Sequence, residues 1–151
     1  MDVVERLDAV EQIRRLKARY FRCMDTKDWE GFADVFAPDA VMDMSGEVPP
    51  SDDPEAGITR GNREIAAFVE AAVGDVVTVH HGHMPEIDVT SPTTARGIWA
   101  MEDKLRWPEA APIAALHGYG HYHETYVRIE GRWLISTLTL TRLRLDVDMA
   151  G

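Results

Sequence analysis

The hydrophobic period of this chain changes from that of a helix to that of a strand near residue 76 and does not change back. Apolar residues at Val3, Leu7, Val10, Ile13, Leu16, Tyr20 and Met24 recur every three or four positions, which predicts one face of an amphipathic helix from near Met1 to near Asp25. Trp29, Phe32, Ala33 and Phe36 predict a short second helix, since Pro38 disfavours helical backbone at the residue before it. AVMDM (40–44) reads as a possible strand. Asn62 is expected to cap a third helix through Val73, with Ile65, Phe68, Val69 and Ala72 on its apolar face. From Val76 onward four long runs rich in β-branched and aromatic residues follow: VVTVHHGHMPEIDV, TTARGIWAMEDKLRW, GYGHYHETYVRI and RWLISTLTLTRLRL. Turn-forming TSP, PEAAPIAALH and Glu130-Gly131 separate them, so consecutive antiparallel pairing is the economical topology. Helices first and a meander afterwards define an α+β fold, a curved antiparallel sheet wrapped on a helical layer.

A chain of 151 residues, 45% hydrophobic, is expected to form one domain spanning residues 1–151, with its own core. The formal net charge of -10 repels phosphate backbones and anionic headgroups, so nucleic acid and membrane surfaces are poor partners. Cys23 is the only cysteine, which excludes an intrachain disulfide and fits a reducing compartment. MDVVERLDAVEQ lacks the basic start and long apolar run of a signal peptide or membrane span, and a cytoplasmic location is expected. The stretch SGEVPPSDDPEAGITRG holds three prolines and three glycines, a loop composition that would suit a flap. No phosphate-binding glycine loop and no flavin or nicotinamide fingerprint is present, so no cofactor is expected.

Tyr20 and Asp25 stand five positions apart near the end of the first helix. They are either a core tyrosine with an aspartate at a helix terminus, where the macrodipole does not favour it, or two members of a site. In Val79-His80-His81-Gly82-His83, strand alternation puts His80 on one face and His81 and His83 on the other. His81 and His83 with His121 and His123 would be the raw material for a metal site, but no carboxylate is placed beside them and no metal is expected. In the second run Ala95, Gly97, Trp99, Met101, Asp103, Leu105 and Trp107 share a face, with Asp103 the single charge. In the last run Leu134, Ser136, Leu138, Leu140, Arg142 and Arg144 share one, with Arg142 following an apolar row. An inward acid and an inward base are either a structural pair or part of a site, because an unpaired buried charge is costly.

Ile13 to Tyr20 followed by Asp25-Thr-Lys-Asp-Trp29, then Ala40-Val41, Gly61, Val79-His80, Ala95-Arg-Gly97, Tyr126 and Gly131-Arg-Trp133 resemble the SnoaL-like, nuclear-transport-factor-two-like proteins over nearly the whole chain. Within that group the pattern is similar to scytalone dehydratase, bile-acid 7α-dehydratase and lindane dehydrochlorinase, and more distantly to ketosteroid isomerase and polyketide cyclases. The resemblance implies a cone-shaped α+β barrel and a cofactor-free eliminase. It implies that His80 is the base, oriented by Asp25, in a register fixed by the distance to Ile87-Asp88-Val89; His81 would be off by one. Tyr20, Asp103 and Arg142 match further polar pocket positions. Met84 stands where the dehydrochlorinase has an asparagine, and residues 45–59 have no clear counterpart.

On this basis the expected chemistry is a dehydratase-type β-elimination. His80 takes the proton, Asp25 stabilises the imidazolium, Tyr20 or a water assists the leaving group, and Arg142 or Tyr20 binds developing negative charge. An isomerase or cyclase on the same pocket, or a non-catalytic binding module, are the alternatives. Phe21, Trp29, Phe68, Trp99, Met101 and Leu138 are available to line a pocket for a small hydrophobic, polycyclic or aromatic substrate. A homodimer or homotrimer is implied.

Overall fold

The computed structural model describes all 151 residues. Helix α1 spans Val3–Asp25, α2 Trp29–Ala33 and α3 Asn62–Val73; strands are β1 Phe36–Asp43, β2 Ile58–Arg60, β3 Val77–Ser91, β4 Thr94–Arg106, β5 Ile113–Ile129 and β6 Arg132–Met149. They form an open six-stranded sheet in the order β2-β1-β6-β5-β4-β3, with the helices packed on its inner face. The predicted meander is β3 to β6, antiparallel throughout. The sheet as a whole is mixed rather than antiparallel, because β1 pairs β6 in parallel. That pairing joins the helical half to the far end of the meander, a long-range contact that local pattern does not encode.

Asp2 and Glu5 begin α1 with a reciprocal capping box, each side chain accepting from the other's backbone N–H at 2.8 Å. The first turn overhangs the core: Val3 and Leu7 are exposed, while Ile13, Leu16 and Tyr20 are buried. After α1 the chain reverses at Lys27, whose φ of 63° aims its Nζ at the Val73 carbonyl, 2.8 Å away. The end of α1 is thereby tied to the end of α3. Asn62 is the first residue of α3 and not its cap. Gly61 holds the cap position with a φ of 95° that disfavours a side chain, and the Asn62 amide donates to the Ala33 carbonyl.

The turn between β5 and β6 is Glu130-Gly131, both at positive φ, which gives the tight hairpin the sequence predicts. Two bulges on β6 were not foreseeable. Ser136 is left over between the pairs Thr125↔Thr137 and Tyr126↔Ile135, and Leu143 between Gly120↔Arg142 and Tyr119↔Arg144. Each extra residue turns the inside–outside alternation over. The row of even residues on the inner face is therefore continuous only through Leu138, Leu140 and Arg142. Arg144 lies on the other face, where it pairs with Asp146. No helix is long and apolar enough to cross a membrane.

Candidate active site

Asp25 is the last residue of α1, so its carboxylate emerges where the helix stops and β3 begins. There it accepts three hydrogen bonds: from the Thr78 hydroxyl at 2.8 Å, from the His80 backbone N–H at 2.8 Å, and from His80 Nδ1 at 2.7 Å. These offset its unfavourable place at the negative end of a helix. Because a carboxylate only accepts, Nδ1 carries the proton and Nε2 is left as the basic nitrogen. His80 is buried on the inner face, as is Thr78. His81 is exposed and His83 turns outward to Glu102. No group of three histidine, cysteine or acidic side chains is arranged to hold a metal ion.

On β4, Asp103 lies directly opposite His80 in the strand register. Its Oδ2 is 3.9 Å from Nε2, too far for a hydrogen bond, so Nε2 is left without a partner on that side. Arg142 grips Asp103 in a two-pronged pair, Nη1 to Oδ1 at 2.6 Å and Nη2 to Oδ2 at 3.0 Å. Its Nε donates to Glu47, which arrives on the short 3₁₀ turn Ser45–Glu47. Burial works against the Arg142 charge, but the Asp103 and Glu47 carboxylates outweigh it and push its pKa up. Gly118 makes room for the fork: a Cβ there would sit 2.2 Å from Arg142 Nη1 and 2.4 Å from Asp103 Oδ1. Gly118→Ala is expected to cost about 1–3 kcal/mol by overpacking, measured by urea unfolding.

These groups converge on a cavity of about 260 Å³, whose polar wall is Tyr20, His80, Asp103, Tyr122, Arg142 and Glu47. Its apolar wall comes from Met24, Met44, Val48, Leu105, Leu140 and the α3 residues Phe68, Val69, Ala72 and Val73. A depression of about 490 Å³ between Arg96, His123 and Thr139 is larger but has one hydrophobic lining residue. Of the six apolar residues expected around a substrate, Phe68 reaches the cavity. The others pack around it. Phe21 stacks on His80 with ring centroids 6.2 Å apart, and Met101 lies behind Arg142. Trp29 packs edge-on against Phe32, Leu138 is fully buried, and the Trp99 indole donates to the Tyr126 hydroxyl.

Four residues of this region were missed in the sequence. Glu47 sits in a stretch with loop composition and no periodicity to interpret. Tyr122 reads as core. Lys17 and Glu124 form a fully buried ion pair beneath the cavity, and their signals were present: Lys17 lies between Ile13 and Tyr20 on the apolar stripe, and Glu124 between Tyr122 and Tyr126 on the inner face of β5. Glu124 also accepts from Tyr126 at 2.8 Å. The Lys17 ammonium lies 3.6 Å and 3.7 Å from the ring centroids of Tyr20 and Tyr122. Burial lowers the Lys17 pKa to about 8 against the opposing pull of Glu124.

Burial is also the main reason that the phenols of Tyr20, Tyr122 and Tyr126 are pushed above their ordinary value. They therefore stay neutral hydrogen-bond donors. A phenol that ionises less readily folded than unfolded stabilises the fold fully below pH 10, its ordinary value, and that contribution is lost as pH rises further. Lys17 acts oppositely: it binds its proton less tightly folded than unfolded, so it adds stability from pH 8 to 10.5. Stability is expected to fall above pH 10, with these three phenols ionising only as the chain unfolds, read from tyrosinate absorbance beside circular dichroism.

The SnoaL-like domain family model matches residues 5–139, and the chain belongs to that family. A probable cyclase of Gibberella zeae is 27% identical over 139 residues, covering 90% of this chain and 92% of the relative. Among solved structures, a scytalone dehydratase-like protein of Novosphingobium aromaticivorans is 21% identical with a TM-score of 0.81, over 96% of this chain and 91% of that one. A LinA-type hexachlorocyclohexane dehydrochlorinase of Novosphingobium barchaimii is 18% identical with a TM-score of 0.81, over 97% of this chain and 94% of that one. At these identities the structural likeness establishes the α+β fold.

Proposed function

We propose that this chain is a cofactor-independent lyase that carries out a dehydratase-type β-elimination on a small hydrophobic ring compound. The observation that carries the reading is the Asp25–His80 pair, which leaves Nε2 as the base facing a half-apolar cavity. In the proposed reaction Nε2 removes a proton from carbon beside a carbonyl, and the C–H electron pair becomes the new C=C bond. The β-hydroxyl departs as water by taking the proton that Nε2 has gained, which restores the neutral imidazole, while the Tyr20 and Tyr122 phenols donate hydrogen bonds to the substrate oxygens and keep their protons. Asp25 and Asp103 flank the ring that becomes positive. Arg142, expected from the resemblance to bind the substrate's developing charge, is engaged by Asp103 and Glu47. Its part is better read as holding Asp103, with the two phenols left to face the substrate oxygen.

Proton abstraction followed by return elsewhere, as in an isomerase or cyclase, is the second reading, and the cyclase relative favours it. Incubating cyclic β-hydroxy ketones with the protein in deuterated water separates the two: loss of water supports elimination, while label exchange with the hydroxyl retained supports isomerisation. An inert binding module would do neither. We also infer a cytoplasmic homodimer or homotrimer with residues 1–151 as one domain, an assembly that light scattering would refute by showing a monomer.

A further inference from the structure

The cavity has an unusual charge arrangement. Its guanidinium is balanced twice over, since Arg142 meets Asp103 through both Nη atoms and Glu47 through Nε. Asp103 and Glu47 thus set two carboxylates against one permanent cation in the wall. An incoming carboxylate would find Arg142 already neutralised and would face like charge. An ammonium group is not turned away on charge, since each Asp103 oxygen accepts a single bond and keeps a lone pair, so the discrimination is against anions. What the wall offers a ligand is His80 Nε2 and the neighbouring hydroxyls of Tyr20 and Tyr122. If one phenol donates to the other, one hydroxyl proton still remains for a ligand oxygen.

We propose that Glu47 is a specificity-determining residue, which by occupying Arg142 makes the cavity select uncharged ring ketones and alcohols and refuse carboxylates. This rests on the reading of the cavity as the substrate site. At about 260 Å³ it lies just under the range of roughly 300–1,000 Å³ that drug-sized ligands fill, which suits a one- or two-ring compound. Met44 and Val48 line the cavity beside Glu47, so the same turn that balances the charge also closes the apolar wall.

The test is a calorimetric comparison of two probes of similar shape on the intact protein: 2-acetylnaphthalene and 2-naphthoate. The ketone is expected to bind about tenfold or more tighter than the carboxylate. In Glu47→Gln, which keeps a hydrogen-bond acceptor but removes the charge, the ketone-to-carboxylate ratio is expected to fall by about tenfold. Glu47 lies in a short surface turn, and a thermal melt confirms that the variant is folded. A second readout needs no ligand: the Arg142 Nε–H resonance is expected to exchange slowly in the wild type and faster in Glu47→Ala. Equal or tighter binding of the carboxylate, absence of ketone binding, or a ratio unchanged in Glu47→Gln would overturn the proposal. None of these depends on turnover, so failure of the elimination reading shows separately, as ketone selectivity without dehydration.

Discussion

His80→Ala is expected to lower kcat/KM for a ring β-hydroxy ketone by about a thousandfold, the scale of a lost general base, with the fold intact. His80 lines a cavity rather than filling the core, so its removal enlarges a space that already exists. Asp25→Asn tests the same pair from the other side. An amide can donate as well as accept, so it permits the imidazole to turn its proton to Nε2 and present no lone pair to the substrate. A loss of about a hundredfold or more is expected. With its amide oxygen on the His80 N–H, the Asn nitrogen takes the place of Oδ1 and donates to both Nδ1 and the Thr78 hydroxyl, which turns to accept, so the end of α1 stays docked on β3. Steady-state kinetics with a thermal melt for each variant checks both. Full activity in either variant contradicts the scheme.

The largest stability effect belongs to a pair remote from solvent. Lys17→Met leaves Glu124 buried without its cation, and breaking a buried pair in this way costs about 3–5 kcal/mol. For a chain of this size that lowers Tm by roughly 10 °C or more. The double variant Lys17→Met/Glu124→Gln removes both charges and keeps an acceptor for the Tyr126 hydroxyl. It is expected to recover most of the loss, since the desolvation cost of the two ions disappears with them. Urea unfolding of the wild type, the two single variants and the double gives the coupling directly. A double variant as unstable as the sum of the singles would mean that the two charges do not act as a pair.

What could be learned from the sequence follows the range of the interactions involved. The helices and the meander are local patterns of period, and α1, α3, β3, β4 and β6 lie close to where those patterns put them, whereas Phe36 opens β1 instead of closing α2 and β5 begins at Ile113, inside the expected turn PEAAPIAALH. Parity puts Asp103 on an inward row but only separates His80 from His81 and His83; the resemblance points to His80 as the pocket residue, and the β3–β4 register sets it opposite Asp103. The arithmetic fails where the backbone breaks the period. Ser136 and Leu143 bulge without a glycine or proline to announce them, so Arg144 was placed on the wrong face. The strand β2 and the parallel joining of β1 to β6 depend on distant partners, and three residues of Ile58–Arg60 carry too short a pattern to recognise. Glu47 was beyond reach for the same reason. Lys17 and Glu124 were not, because a charge on an apolar face is the feature that exposed Asp103 and Arg142.

The central claim is that Asp25 fixes His80 with its proton on Nδ1 and a bare Nε2. Long-range proton–nitrogen correlation spectra of the histidine rings, at mildly alkaline pH, report this without a substrate. The account predicts a neutral His80 protonated at Nδ1 in the wild type and a changed tautomer in Asp25→Asn. A His80 ring protonated at Nε2 in the wild type, or one indifferent to the loss of the Asp25 charge, would contradict it.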